Sequence, residues 1–68
     1  MIDGAKFASL RKRANLTQRE LADRMGVKIP IVQRAEWEVK DLSLPMAAIA
    51  AKLMDCQIED FLKPINLT

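Results

Sequence analysis

The sequence predicts a small all-α domain of five short helices, and three observations carry that prediction. Apolar residues recur at three- and four-residue spacing rather than in alternation. Helix-start signals precede the periodic stretches at Asp3, at Thr17 with Glu20 three residues later, and at Ser43. Half of the 68 residues are apolar but only 4% are aromatic, a composition of Leu, Ile, Val, Ala and Met that suits a helical bundle.

Asp3 is placed to cap a first helix over Gly4 to Ala14, with Phe7, Leu10 and Ala14 as its buried stripe. Asn15 stands where that helix should stop, because Asn tolerates the left-handed conformation better than other non-Gly residues. Thr17 and Glu20 form a capping box, T-x-x-E, at the start of the second helix, and Leu16 before it can pack on Leu21 as a hydrophobic staple. Leu21, Ala22 and Met25 form the inner face of this helix. Gly26 ends it where a positive φ is wanted, which Gly adopts without steric cost. A third helix is expected from Lys28 or Ile29 to Trp37, with Val32 as its inward pole. At 100° per residue Lys28, Ala35 and Glu36 then lie near that pole, Pro30, Gln33, Arg34 and Trp37 point outward, and Ile31 lies at the margin. Pro30 is tolerable in the first turn, where its missing N–H has no intrahelical partner. Glu38 to Leu42 reads as a loop. Ser43 caps a fourth helix whose Ala-rich run, M-A-A-I-A-A-K-L-M, leaves its register open. Asp55 ends that helix, and Ile58 to Leu62 are expected to form a short fifth helix with Phe61 buried, stopped by Pro64. The reading is one domain over residues 1–68, with a tail from about residue 63.

The stretch from Thr17 to Trp37 organises the rest. A small Ala22, Gly26 four residues later, and Val27, Val32 and Ala35 at fixed offsets allow two short helices to cross closely through a tight turn. This is the helix-turn-helix pattern. The net charge of +2 hides an asymmetry: residues 1–34 hold eight Lys/Arg against three acids, and residues 35–68 hold three against six. Basic side chains therefore concentrate in the half that carries this unit, as nucleic-acid binding requires.

Other function classes find little support. There is no His and a single Cys, so a Cys/His zinc site and an internal disulfide are both excluded. Without His, catalysis would fall to carboxylates or Lys in a cleft that a domain of this size can hardly form, so no enzymatic activity, cofactor, metal or small-molecule ligand is expected. Cys56 reads as an inert core thiol and the four Met residues as gap-fillers. No run approaches the roughly 18 apolar residues of a membrane span, and no basic-then-apolar leader opens the chain. A soluble, cytoplasmic protein is expected.

The run L-R-K-R-A-N-L-T-Q-R-E-L-A-D-R-M-G-V resembles the start of the phage Cro/repressor-like (XRE) family. Leu10, Arg11, Leu16, Thr17, Gln18, Leu21, Ala22, Gly26 and Val27 fall on its pattern without gaps, and Glu36 matches the acid that ends its recognition helix. The resemblance covers about Phe7 to Leu62, strongly up to Val27 and more loosely after Glu36. It implies a five-helix lambda-repressor-like DNA-binding domain with helices two and three as the helix-turn-helix. It also implies that Gln18 hydrogen-bonds a phosphate while bracing helix three, that Arg11 and Glu36 form a buried salt bridge, and that Arg11 nears a phosphate.

The expected DNA-contacting residues are Arg11, Thr17, Gln18, Arg19, Lys28, Ile29, Pro30, Ile31, Gln33, Arg34, Trp37 and Lys40. Gln33 and Arg34 suit adenine and guanine, whereas Ile29, Pro30 and Ile31 stand where the family usually shows polar readers. Apolar side chains there touch thymine methyl groups, form part of the core, or contact a protein. Trp37 either donates its indole N–H to a phosphate or covers the edge of the core. Glu38 replaces the family's usual Gly, and with Asp41 it would lie near phosphates in a conventional docking, partly offset by Lys40. Ile58, Phe61, Leu62, Ile65 and Leu67 exceed what so short a segment buries internally, which marks the C-terminal region as the expected homodimer surface. The resulting expectation is a complete Cro-like repressor, dimeric on a palindromic operator. The competing expectation is a protein-binding module such as an antitoxin or anti-regulator, using the apolar face of helix three.

Overall fold

The computed structural model describes residues 2–63. Among these, the chain forms four α-helices, α1 (Gly4–Arg13), α2 (Gln18–Met25), α3 (Ile29–Glu36) and α4 (Leu44–Leu53), followed by one 3-10 turn, Ile58–Asp60. The fifth helix anticipated over Ile58 to Leu62 is thus a single tight turn. Its start is held by the Asp60 carboxylate, which accepts from the Gln57 N–H at 2.9 Å.

The local signals account for the helix boundaries. The Asp3 carboxylate accepts from the Lys6 N–H at 3.1 Å. Thr17 and Glu20 exchange both capping-box bonds at 3.0 Å, and the Ser43 hydroxyl accepts from the Met46 N–H at 3.4 Å. Gly26 ends α2 at φ 74°, so the backbone reverses within two residues and α3 can cross α2. Asn15 and Asp55 take left-handed φ values of 59° and 53°, as their positions suggested. Glu38 does the same at φ 57°, which explains why the resembled family favours Gly there. A side chain at this position costs on the order of 1 kcal/mol in backbone strain.

α1 and α2 pack against α3, and α4 packs against α2. The core they enclose holds Phe7, Leu21, Ala22, Val32, Ala35, Ala50 and Phe61, none with measurable exposure. Phe61 meets Phe7 edge-on, centroids 5.1 Å apart and planes at 88°, a favoured aromatic geometry. α4 resolves its ambiguous register by turning Ala47, Ala50 and Ala51 inward and leaving Leu44 and Ile49 exposed. The two ends of the described chain meet: Ile2 and Leu62 form an antiparallel bridge, and the Asp3 N–H donates to the Phe61 carbonyl at 2.8 Å.

Candidate nucleic-acid interface

A polar network behind α3 fixes it relative to the other helices. Arg11 is 8% exposed. Its Nε donates to Glu36 Oε2 at 2.6 Å, its Nη2 to Glu36 Oε1 at 3.3 Å, and its Nη1 to the Leu16 carbonyl at 2.8 Å. One guanidinium therefore joins α1, the α1–α2 turn and the last turn of α3, as the planar fork of Arg allows. Gln18, at the start of α2, adds a bond from Nε2 to Glu36 Oε1 at 3.1 Å, and its own Oε1 accepts from Gln33 Nε2 at 3.4 Å. The salt bridge and the bracing of α3 by Gln18 are both present.

Two expected base or phosphate contacts change character here. Arg11 is buried and gives three of its five N–H donors to Glu36 and the Leu16 carbonyl, so its visible role is to brace α3. Gln33 is half-buried and reaches back to Gln18, so its amide helps hold α2 to α3 and does not simply face outward as an adenine reader.

The opposite side of α3 is open. Lys28, Pro30, Arg34 and Trp37 are exposed, and Ile29 and Ile31 are half-buried, packed along the rim of the core. Pro30 fits in the first turn, and Lys28 occupies the cap position without a side-chain cap bond, which leaves its ammonium at the helix entrance. Trp37 is 65% exposed, so it does not cover the core; its indole stands in solvent at the end of α3. Thr17 and Arg19 are exposed at the start of α2, and Lys40 in the loop after α3. Ile31 and Arg34 also line a recess of about 250 Å³, closed on its other sides by Lys40, Asp41, Leu42, Ser43 and Met46.

The acids of that loop are held by neighbouring groups. Glu38 accepts from the Gly4 N–H at 3.1 Å and pairs with Lys63. The Lys63 ammonium first, and the Gly4 N–H second, hold the Glu38 carboxyl below its ordinary range, while Lys63 is raised by the same partner. Asp41 Oδ1 accepts from the Ile2 N–H at 2.9 Å. The repulsion these acids would offer a phosphate is thereby reduced by neighbours that sequence spacing could not reveal.

Gly4 was absent from the expected site, yet it sets how closely α1 approaches the end of α3. A Cβ on Gly4 would collide with the Glu36 carbonyl and crowd the Glu38 side chain. A Gly opening a helix was the available signal, and nothing local says what it faces.

The expected dimer surface is only partly a surface. Phe61 is a core residue with no exposure, packed edge-on against Phe7, so it belongs to the core and not to the expected dimer surface. Ile58 and Leu62 are half-buried, and Ile65 and Leu67 lie outside the described residues. Cys56 is half-buried beside α4, and burial first, then Asp60, pushes its thiol pKa up, so thiolate chemistry is disfavoured. None of the described helices is long and apolar enough to cross a membrane.

Comparison with known proteins places this geometry. No curated protein matches the sequence. Among solved structures, the chain is similar to the restriction-modification controller protein C.AhdI from Aeromonas hydrophila, with 24% identity, TM-score 0.77, and coverage of 84% of this chain and 86% of that one. It is also similar to SinR, the master regulator for biofilm formation, in a crystal structure with DNA; identity is 19%, TM-score 0.77, and coverage is 85% of this chain and 94% of that one. These likenesses show the fold. A helix-turn-helix family model matches residues 7–61, which include the Arg11–Glu36 brace, the Thr17 cap and the Gly26 turn, and the chain belongs to this XRE-type helix-turn-helix family.

Proposed function

We propose that this protein is a sequence-specific double-stranded DNA-binding transcriptional regulator that sets α3 in the major groove. The observation that carries the reading is the two-sidedness of α3. Its inner side is locked by Arg11, Glu36, Gln18 and Gln33, while Lys28, Pro30, Arg34 and Trp37 face solvent. A helix intended only for packing would not need a network of charged and amide groups to fix its orientation. A helix that reads base edges does, because discrimination depends on placing side chains against a groove pattern.

In this reading Arg34 takes a guanine edge, Ile29 and Ile31 take apolar features, and Lys28 flanks the groove. Thr17, Gln18 and Arg19 bring the start of α2 to the phosphates, where free N–H groups and the helix dipole favour an anion. Trp37 and Lys40 meet the backbone at the other end. About six neutralised phosphates would give a log–log salt slope of about −5. One domain spans about half a site, so a homodimer on a palindrome with half-sites roughly 34 Å apart completes the unit. Ile58 and Leu62, with Ile65 and Leu67, remain the proposed contact between copies. Repression by occluding a promoter, as a Cro-like protein does, is the simplest mechanism, because it asks nothing beyond DNA occupancy.

The exposed Trp37 and Val39, at 65% and 70%, favour a second reading in which this end of α3 docks a protein, as an antitoxin or anti-regulator would. Selection from random duplex DNA at two salt concentrations tests both. Enrichment of a palindrome supports the regulator; unselective binding that vanishes with salt refutes it and directs attention to the Trp37–Val39 surface.

A further inference from the structure

We infer that α3 recognises the 5-methyl group of a pyrimidine adjacent to a guanine, so that thymine and 5-methylcytosine serve equally at that position. The inference deepens the DNA-reading proposal above and rests on it. Ile29, Pro30 and Ile31 fill the first turn of α3, and none carries a side-chain donor or acceptor. Gln33, the one amide of the helix, is half-buried and donates to Gln18 at 3.4 Å. Within α3, the fully exposed side chain that can hydrogen-bond a base edge is that of Arg34.

Arg34 and Ile31 stand three residues apart on one helical face, where Cβ atoms lie roughly 5–6 Å apart, and together they form a wall of the recess that Leu42 and Met46 also line. Ile31 is half-buried and packed against the core rim. It presents an apolar surface on the helical face it shares with Arg34. In the major groove, guanine offers O6 and N7 to Arg, and the apolar group that a base pair displays is the pyrimidine 5-methyl. An isoleucine hydrogen-bonds neither the O4 of thymine nor the N4 amine of cytosine. The methyl is what it rewards, and 5-methylcytosine carries the same methyl.

The test starts from the half-site enriched by selection and locates the guanine whose preference relaxes in Arg34→Ala. At the neighbouring pyrimidine, four duplexes carry thymine, deoxyuridine, cytosine or 5-methylcytosine, and affinity is read at fixed salt. Losing the methyl, from thymine to deoxyuridine or from 5-methylcytosine to cytosine, should weaken binding about fourfold. Thymine and 5-methylcytosine should agree within about twofold, and the methyl dependence should disappear in Ile31→Ala. The wild-type comparison stands without the variant if Ile31→Ala fails to fold. Equal affinity for thymine and deoxyuridine, with guanine preference still lost in Arg34→Ala, overturns the methyl reading and leaves DNA reading intact. Failure to enrich any half-site overturns both.

Discussion

Replacing Arg11 by Met should unfold about half of the protein at room temperature, and also replacing Glu36 by Leu should restore most of the loss. The guanidinium makes two bonds to Glu36 and one to the Leu16 carbonyl. Without it, a Glu36 carboxylate whose side chain is 6% exposed keeps only the neutral Gln18 amide, and a buried carbonyl loses its side-chain donor. Stranding a buried charge in this way costs about 3–5 kcal/mol. A domain of this size, lacking a disulfide and a zinc site, holds about 3–5 kcal/mol in all, so the single variant sits near its midpoint without denaturant. Removing both charges by apolar residues of similar volume leaves no charge stranded, only the neutral Leu16 carbonyl and Gln18 amide short of a partner, and should bring stability within about 2 kcal/mol of the native protein. Urea unfolding followed by far-ultraviolet circular dichroism measures all four corners of the cycle, and the coupling should be about 3 kcal/mol or more. A single variant within about 1 kcal/mol of native stability, or a double variant as unstable as the sum of the singles, would refute the account of Arg11 as a buried brace. The double variant should still bind DNA less well, because Gln18 loses its Glu36 anchor and α3 loses its fixed tilt.

Further outcomes follow from other contacts. Gly4→Ala forces α1 off the Glu36 carbonyl and should cost about 1–3 kcal/mol by urea titration, although alanine is the better helix former. Glu20 is held below its ordinary 4.5, chiefly by the Thr17 backbone N–H; a depressed carboxyl stabilises above its unfolded pKa and loses that contribution as pH falls through the folded value, so Glu20→Gln should show a shallower stability decline below about pH 4.5. The Glu38–Lys63 pair has a lowered acid and a raised base, so its contribution fills the window between their ordinary values and fades at both extremes; Lys63→Met should flatten both limbs of the stability–pH curve, only slightly because the pair is exposed. Arg34→Ala should lose about 1–3 kcal/mol of discrimination at one base position with an unchanged melting temperature, and the fluorescence of Trp37, the one tryptophan, should change on adding DNA.

The parts of the fold that were legible depend on local chemistry. A hydroxyl or carboxylate at Asp3, Thr17 and Ser43 announces a helix start because the N–H that donates to it is three residues away in sequence. Gly26 announces a turn because its own φ is the requirement. Arg11 with Glu36 was legible only through the family resemblance, since 25 residues separate them and no local spacing pairs them. What stayed hidden was tertiary in the same sense: Gly4 under the end of α3, Lys63 and Gly4 on Glu38, and Ile2 on Asp41. Phe61 was read both as core and as dimer surface, because apolar content alone does not say which cavity a ring fills; Phe7 decided it. Gln33 shows a further limit of reading a helix from spacing. A helical wheel fixes the Cβ, but a long amide can turn back toward a neighbour such as Gln18.

The half-buried state of Ile29 and Ile31 has a consequence for how this reading face can change. In a helix fully exposed on its outer side, exchanging one reader for another alters DNA preference and leaves stability alone. Here the same side chains that face the groove in the proposed docking also seal the rim of the core beside Val32, and Pro30 between them fixes the backbone of the first turn. A polar residue at 31 would gain a base contact while giving up apolar burial, at about 25 cal/mol for each Å² returned to water, in a domain with little stability to spare. Arg34 carries no such double duty, since it is exposed and forms no ion pair among the described residues. Specificity is therefore freest to drift at 34 and most constrained at 29 and 31. In the proposed docking, a short helix with few side-chain donors depends on rigid placement of its few contacts, which the frame of Arg11, Glu36 and Gln18 behind α3 supplies.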